Sequence, residues 1–148
     1  MNSTERKLAN KHFVRAALAG IADASPATLA AALEAAYHPQ AAWRGSHPMN
    51  EMTGVAAIAE RVWLPLLRSF PDLERRETIL VGGDYEGNDL VASVGHYVGT
   101  FRHDWLGIPA TLRTIYLRFA EVHRVVEGRI AQSTVLIDVL DEIGRAHV

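Results

Sequence analysis

Apolar residues in this chain recur every three to four positions as far as Phe70 and every second position beyond it. The first spacing marks helices and the second marks strands. Phe13, Val14, Ala17, Leu18 and Ile21 predict a first helix over residues 5–23. Ser25-Pro26 reads as a cap and first turn of a second helix carrying Leu29, Leu33, Ala36 and Tyr37 on one face. That helix is expected to stop at His38, because Pro39 drives the residue before it out of helical geometry. Residues 41–47, around Trp43, predict a short strand closed by Pro48. Thr53-Gly54 opens a third helix with Val55, Ile58 and Val62 on its apolar face, and a helical turn or two from Trp63 ends at Phe70-Pro71.

Four strands are predicted after the change of period, at residues 73–81, 89–101, 112–126 and 129–137. Gly82-Gly83-Asp84 and Gly87-Asn88 mark the first connection, and Glu127-Gly128 makes the last one a two-residue hairpin. A short helical tail is expected over residues 138–143, with Gly144 as its cap. Helices first and antiparallel strands afterwards indicate an α+β fold, with the helices on one side of a curved sheet.

The last hairpin gives these strands a geometry. With Glu127 and Gly128 as the loop, opposed residues have numbers summing to 255. Leu117, Phe119, Glu121 and His123 then share one face with Gln132, Thr134, Leu136 and Asp138. Apolar walls with a few polar groups are what a ligand pocket requires. The opposite face carries Tyr116, Arg118, Ala120, Val122 and Arg124 with Ala131, Ser133, Val135 and Ile137. It is an apolar tract flanked by arginines and is expected to pair two copies of the chain. A bulge in the turn would exchange the faces of one strand. This register separates His123 from Asp138 by about 20 Å along the strands, so the two would act at different ends of a pocket.

Composition narrows the partners. The 148 residues suit one domain, residues 1–148. A net charge of −2 with scattered basic residues gives no reason to expect nucleic acid or an anionic membrane. The chain has no cysteine, so disulfides and thiolate chemistry are excluded. Its polar first eleven residues resemble no signal peptide, and no apolar run approaches the ~20 residues of a membrane span. The expected setting is cytoplasmic. The seven histidines are dispersed, none spaced as a ligand pair, so no metal is expected.

Phe70-Pro-Asp-Leu73, Asp89-Leu-Val-Ala92, Gly95-His-Tyr-Val-Gly-Thr-Phe101, Leu106-Gly-Ile-Pro-Ala-Thr-Leu-Arg113 and Glu121-Val-His-Arg-Val-Val-Glu-Gly-Arg-Ile130, ending in Asp138, occur in an order that resembles the SnoaL-like polyketide cyclase family. The resemblance spans residues 29–144 and is strongest after Phe70. It implies an NTF2-like cone: helices packed on a strongly curved antiparallel sheet around a hydrophobic pocket. It also implies a cofactor-free enzyme that closes a polyketide ring by intramolecular aldol condensation, with the aspartate matching Asp138 as acid/base and a histidine near His123 lining the pocket. Gly95-His-Tyr stands where the family often has Gly-Thr-His, and Gln132 and Thr134 stand where it commonly has Glu and Trp. Pro109-Ala-Thr-Leu112 replaces a proline-rich segment and follows four extra residues, 102–105. These departures leave the fold intact and leave the substrate open.

On this reading Asp138 and His123 are the catalytic candidates. A tuned carboxylate would take a proton next to a carbonyl and lead to cyclisation or isomerisation. Asp138 reads equally as the N-cap of the tail helix, and His123 and Glu121 as hydrogen-bonded core residues. Trp43, His47, Trp63, Tyr97, Trp105, Leu117, Phe119, Glu121, Gln132, Thr134 and Leu136 are the ligand-contact candidates. Tyr97 would be a donor to an enolate oxygen. A non-catalytic binding or dimerisation module, and a hydrolase or dehydratase, are the alternatives on the same fold. Sequence shows no histidine and acid beside Ser133, so it gives a nucleophilic triad no support.

Overall fold

A computed structural model describes residues 1–139; the expected tail helix and Gly144 lie almost wholly outside them. Helix α1 (Ser3–Ala22) begins in a capping box, with Asn2 accepting the Glu5 amide at 2.8 Å and Glu5 accepting the Asn2 amide at 3.2 Å. Helix α2 (Leu29–Ala36) starts three residues after Pro26, because Ser25 and Thr28 close a turn on each other instead of capping directly. Strand β1 (Tyr37–Gly45) follows without a loop and begins four residues earlier than periodicity suggests. A cis His47–Pro48 turn leads into β2 (Glu51–Thr53), a strand too short to show a period.

Helices α3 (Val55–Ile58) and α4 (Leu64–Ser69) are two ends of one rod joined by a π-helical turn, Ala59–Trp63. Pro65 accounts for that turn. It has no N–H for the carbonyl four residues back, and its ring crowds that carbonyl, so the helix widens ahead of it. The rest of the chain is strand: β3 (Glu74–Tyr85), β4 (Asn88–Thr100), β5 (Thr114–Val126) and β6 (Arg129–Ile137). The β3–β4 turn is Glu86-Gly87, both at positive φ. Gly82-Gly83 lie inside β3 and not in the connection. Gly82 has a place there because a Cβ would stand 2.8 Å from the Lys11 side chain of α1.

The six strands form one open sheet in the order β2-β1-β6-β5-β4-β3. All neighbours are antiparallel except β1 and β6, which run parallel, so the sheet is mixed where a purely antiparallel one was expected. The helices cover its inner face. The core there joins Val14, Leu18 and Ile21 of α1 and Leu29 and Leu33 of α2 to Trp63 and Leu66, Tyr97, Leu117 and Phe119.

Two irregularities decide what faces inward. In β3 the ladder shifts between Glu77 and Ile79, opposite Gly95. A Cβ on Gly95 would collide with the Arg76 carbonyl and meet Phe119 Cζ at 2.9 Å. In β6 the ladder starts as the Glu127-Gly128 turn predicts, with Val126 opposite Arg129 and Val125 opposite Ile130. It then shifts by one residue at Ala131, so Arg124 faces Gln132 and His123 faces Ser133. Beyond Ile130 the shift turns the other face of β6 inward. Ser133, Val135 and Ile137 are buried, while Thr134 is exposed and Leu136 is 61% exposed. The pocket wall expected from Gln132, Thr134 and Leu136 is therefore corrected to Ser133, Val135 and Ile137.

Candidate active site

Five polar side chains from three strands meet on the buried inner face. Arg75 of β3 reaches across β4 and closes a two-pronged ion pair on Glu121 of β5, with Nη1–Oε1 and Nη2–Oε2 both 2.9 Å. Both side chains are almost wholly buried. Arg75 also donates to the Tyr97 hydroxyl at 2.7 Å, and its guanidinium lies 4.2 Å from the Phe119 ring centre. Ser93, 3.2 Å from Arg75 Nη2, passes a hydrogen bond to Glu77 at 2.8 Å. The cluster leads outward through Glu77 to Arg15 of α1.

Glu121 also accepts from His123, two residues on along the same face, at Nε2–Oε2 3.0 Å. His123 Nδ1 stands 2.7 Å from Ser133 Oγ on β6, and Ser133 Oγ stands 2.8 Å from the Tyr37 hydroxyl at the start of β1. Burial works to raise the Glu121 pKa, but hydrogen bonds and charge from His123 and Arg75 outweigh it and hold the carboxyl at about 2. Glu121 is thus an acceptor only, so His123 Nε2 must carry a proton. With a neutral ring, Tyr37 donates to Ser133 and Ser133 donates to Nδ1. With a protonated ring, the two hydroxyls reverse. Burial raises the Tyr37 pKa, against the Ser133 hydrogen bond, and so keeps the phenol protonated. Burial and the Glu121 charge do the same for Tyr97.

This chain of groups borders an enclosed cavity between sheet and helices. Tyr37, Tyr97, Glu121 and His123 meet it on the polar side; Trp43, Trp63, Leu66, Val135 and Ile137 meet it on the apolar side. Its volume of about 10 Å³ is the size of one water-sized guest. The Trp43 ring fills part of the space by lying along its own strand over Gly45, where a Cβ would collide with it. Tyr37 is also a wall of a larger open groove of about 560 Å³, formed with Glu34, Pro39, Gln40, Gly54 and Arg129. Tyr37 is thus common to the groove and the interior cavity.

Of the residues singled out from sequence, Trp43, Trp63, Tyr97, Glu121 and His123 come together at this cavity. Leu117 and Phe119 are buried on the same face, with Phe119 beneath Arg75. Trp105 is buried elsewhere, edge-on to Phe70 at 5.7 Å, in the loop after β4. His47 is exposed in the β1–β2 turn. Asp138 follows the reversed face of β6: its amide donates to the Arg118 carbonyl at 3.0 Å and its carboxylate pairs with the Arg118 side chain at 2.7 Å. Arg118 lies on the outer face, half exposed, so Asp138 is turned away from the cavity that Ile137 lines. The Ala131 shift is the physical cause.

Sequence reading missed Arg75, Tyr37 and Ser133. Arg75 stands among the charged residues Glu74, Arg76 and Glu77, and its inward position shows only in the alternation of β3 after Leu73. Ser133 does join a histidine and an acid, in the order Ser133, His123, Glu121. It does not reach the cavity, however; it sits behind His123 and Tyr37, which suits a proton relay and not a nucleophile. Among the described residues no group of His, Asp and Glu is arranged to hold a metal ion.

No helix among the described residues is long and apolar enough to cross a membrane. Similar solved structures share this architecture. A proposed SnoaL-like polyketide cyclase of Jannaschia sp. CCS1 superposes with a TM-score of 0.76 at 16% identity, over 95% of this chain and 92% of that one. IdmH of Streptomyces antibioticus, a proposed polyketide cyclase, gives 0.71 at 20% identity over 90% and 98%. An NTF2-like protein of Burkholderia thailandensis E264 gives 0.67 at 23% identity over 94% and 97%. At these identities the likeness establishes the NTF2-like α+β fold. No curated protein matches the chain in sequence. The sequence profile of the SnoaL-like polyketide cyclases matches residues 16–143, and the chain belongs to that family.

Proposed function

We propose that the protein is an acid–base enzyme of the cyclase or isomerase type, acting on a hydrophobic carbonyl compound at the Glu121–His123 cavity. The unbroken hydrogen-bonded chain Arg75–Glu121–His123–Ser133–Tyr37 beside the interior cavity carries this reading. Burying so many polar groups in an otherwise apolar wall costs desolvation that a purely structural core avoids. The Tyr37 hydroxyl on the cavity wall takes the proton lost from the carbon beside the carbonyl as its own proton passes through Ser133 to His123 Nδ1, so His123 is the base at the inner end of the relay. Glu121, kept anionic by Arg75, balances the imidazolium. The substrate enters from the outer groove beside Tyr37, and the site opens by displacement of the Trp43 ring, which leaves the Tyr37–Ser133 contact in place.

Asp138 as the acid/base is the second reading, supported by its place in the family pattern and by Ile137, its neighbour in sequence, lining the cavity. Proton exchange beside the carbonyl of a β-ketoester, followed by NMR in D2O, separates the two. His123→Phe abolishes exchange on the first reading, and Asp138→Asn abolishes it on the second. No exchange by the unaltered protein on any β-ketoester of a broad panel contradicts both.

We also propose that two copies pair through the outer sheet face. Ile79, Val94, Ala120 and Leu136 form one cross-strand row there, with Val81, Ala92 and Val122 beside it. Ile79 is 53%, Val94 45% and Leu136 61% exposed. Continuous exposed apolar rows of this kind mark association surfaces.

A further inference from the structure

Trp63 stands at the end of the π-helical turn and lines the cavity opposite Tyr97, whose ring it meets edge-on at 5.9 Å. It is 5% exposed, and its indole N–H, fully buried, has no hydrogen-bond partner among the described residues. A buried donor left unmet costs about 1–3 kcal/mol, and the other polar groups of the site are all paired. Indole can only donate, so its partner must be an acceptor. The π-helical turn is the second observation. Such turns are strained relative to α-helix and frequent at functional sites, and this one sets the angle at which Trp63 meets the cavity.

We infer that the Trp63 indole N–H is the donor that receives the carbonyl oxygen of the substrate and holds it as the oxygen gains negative charge. The inference rests on the proposed proton abstraction. It adds a substrate requirement: an oxygen acceptor two bonds from the carbon that loses its proton, with apolar surface against Trp43 and Leu66. Proton loss from that carbon leaves an enolate whose charge lies on the oxygen. The N–H then strengthens its bond without itself giving up a proton, and a proton passes through Tyr37 and Ser133 to His123, so charge and atoms balance.

The test uses 4-nitrophenol, whose phenolate imitates an enolate oxygen and is coloured only when ionised. In a titration of the ¹⁵N-labelled full chain, the Trp63 indole signal is expected to shift saturably and bound dye to shift toward phenolate. Trp63→Phe keeps an aromatic ring and removes the donor. It is expected to weaken binding about tenfold and return the bound dye toward the neutral phenol, a ratio that a packing role would not move. Movement of His123 and Tyr97 signals with the Trp63 signal unmoved overturns this inference and leaves the cavity reading standing. An unchanged dye ratio in Trp63→Phe also overturns it. Dye that moves no signal at the cavity contradicts the cavity reading itself, and this inference with it.

Discussion

His123 Nδ1 stands 2.7 Å from Ser133 Oγ across the β5–β6 ladder, a contact made by the one-residue shift at Ala131. Without the shift His123 would face Gln132, and Ser133 would lie on the outer face. The shift thus places the Ser133–Tyr37 hydroxyl pair behind His123 and turns Asp138 toward Arg118.

Ser133→Ala tests that contact. It removes the common partner of His123 Nδ1 and the Tyr37 hydroxyl, both buried. A loss of about 1–3 kcal/mol in urea unfolding is expected, with the sheet unchanged by circular dichroism. No loss of stability would mean that the two groups find other partners.

The Arg75–Glu121 pair predicts an asymmetry. Arg75→Met leaves an anion buried against Phe119 and Tyr97 and is expected to cost about 3–5 kcal/mol. The double variant Arg75→Met with Glu121→Leu is expected to recover part of that cost, because the buried Glu121 carboxylate is gone while His123 Nε2–H and the Tyr97 hydroxyl lose their acceptor. Additive losses in a double-mutant cycle would contradict the pairing.

Stability should fall in acid for a specific reason. The folded pKa of Glu121, about 2, lies below its ordinary value of 4.5. Folding therefore favours the ionised form, and the contribution is complete above the ordinary value and lost as pH falls through about 2. The expected loss between pH 5 and pH 2 is on the order of 3 kcal/mol. Glu121→Gln should flatten that part of the profile; an unchanged acid limb would remove Glu121 as its source.

Leu136→Glu addresses the outer face. Dimers in light scattering of the unaltered protein, and monomers with unchanged circular dichroism in the variant, are expected. A monomer at every concentration in the unaltered protein would refute pairing through this face.

Much of the fold was legible because periodicity reports burial directly. The β6 bounds, the helices-then-strands order, the Glu127-Gly128 turn and the inward face of β5 all follow from it. Phe70-Pro-Asp-Leu73 also has a local reason: Asp72 accepts both the amide and the hydroxyl of Thr100 at 2.7 Å, pinning the end of β4. The wall contributed by β6 was not legible. Nothing in Arg-Ile-Ala-Gln-Ser marks Ala131 as the extra residue, and one such shift exchanges Gln132, Thr134 and Leu136 for Ser133, Val135 and Ile137. Arg75 was hidden for another reason. A charged residue between two others reads as solvent-facing until its partner Glu121, forty-six residues away, is known.

The central claim is that proton chemistry belongs to the interior chain and not to Asp138, paired with Arg118 on the outer side of the sheet. Deuterium exchange beside the carbonyl of a β-ketoester, measured by NMR for the unaltered protein, His123→Phe and Asp138→Asn, tests it most directly. The account predicts loss of at least a hundredfold in His123→Phe, within the usual span of general acid–base catalysis, and near-normal exchange in Asp138→Asn. Exchange that survives in His123→Phe and disappears in a folded Asp138→Asn would contradict it.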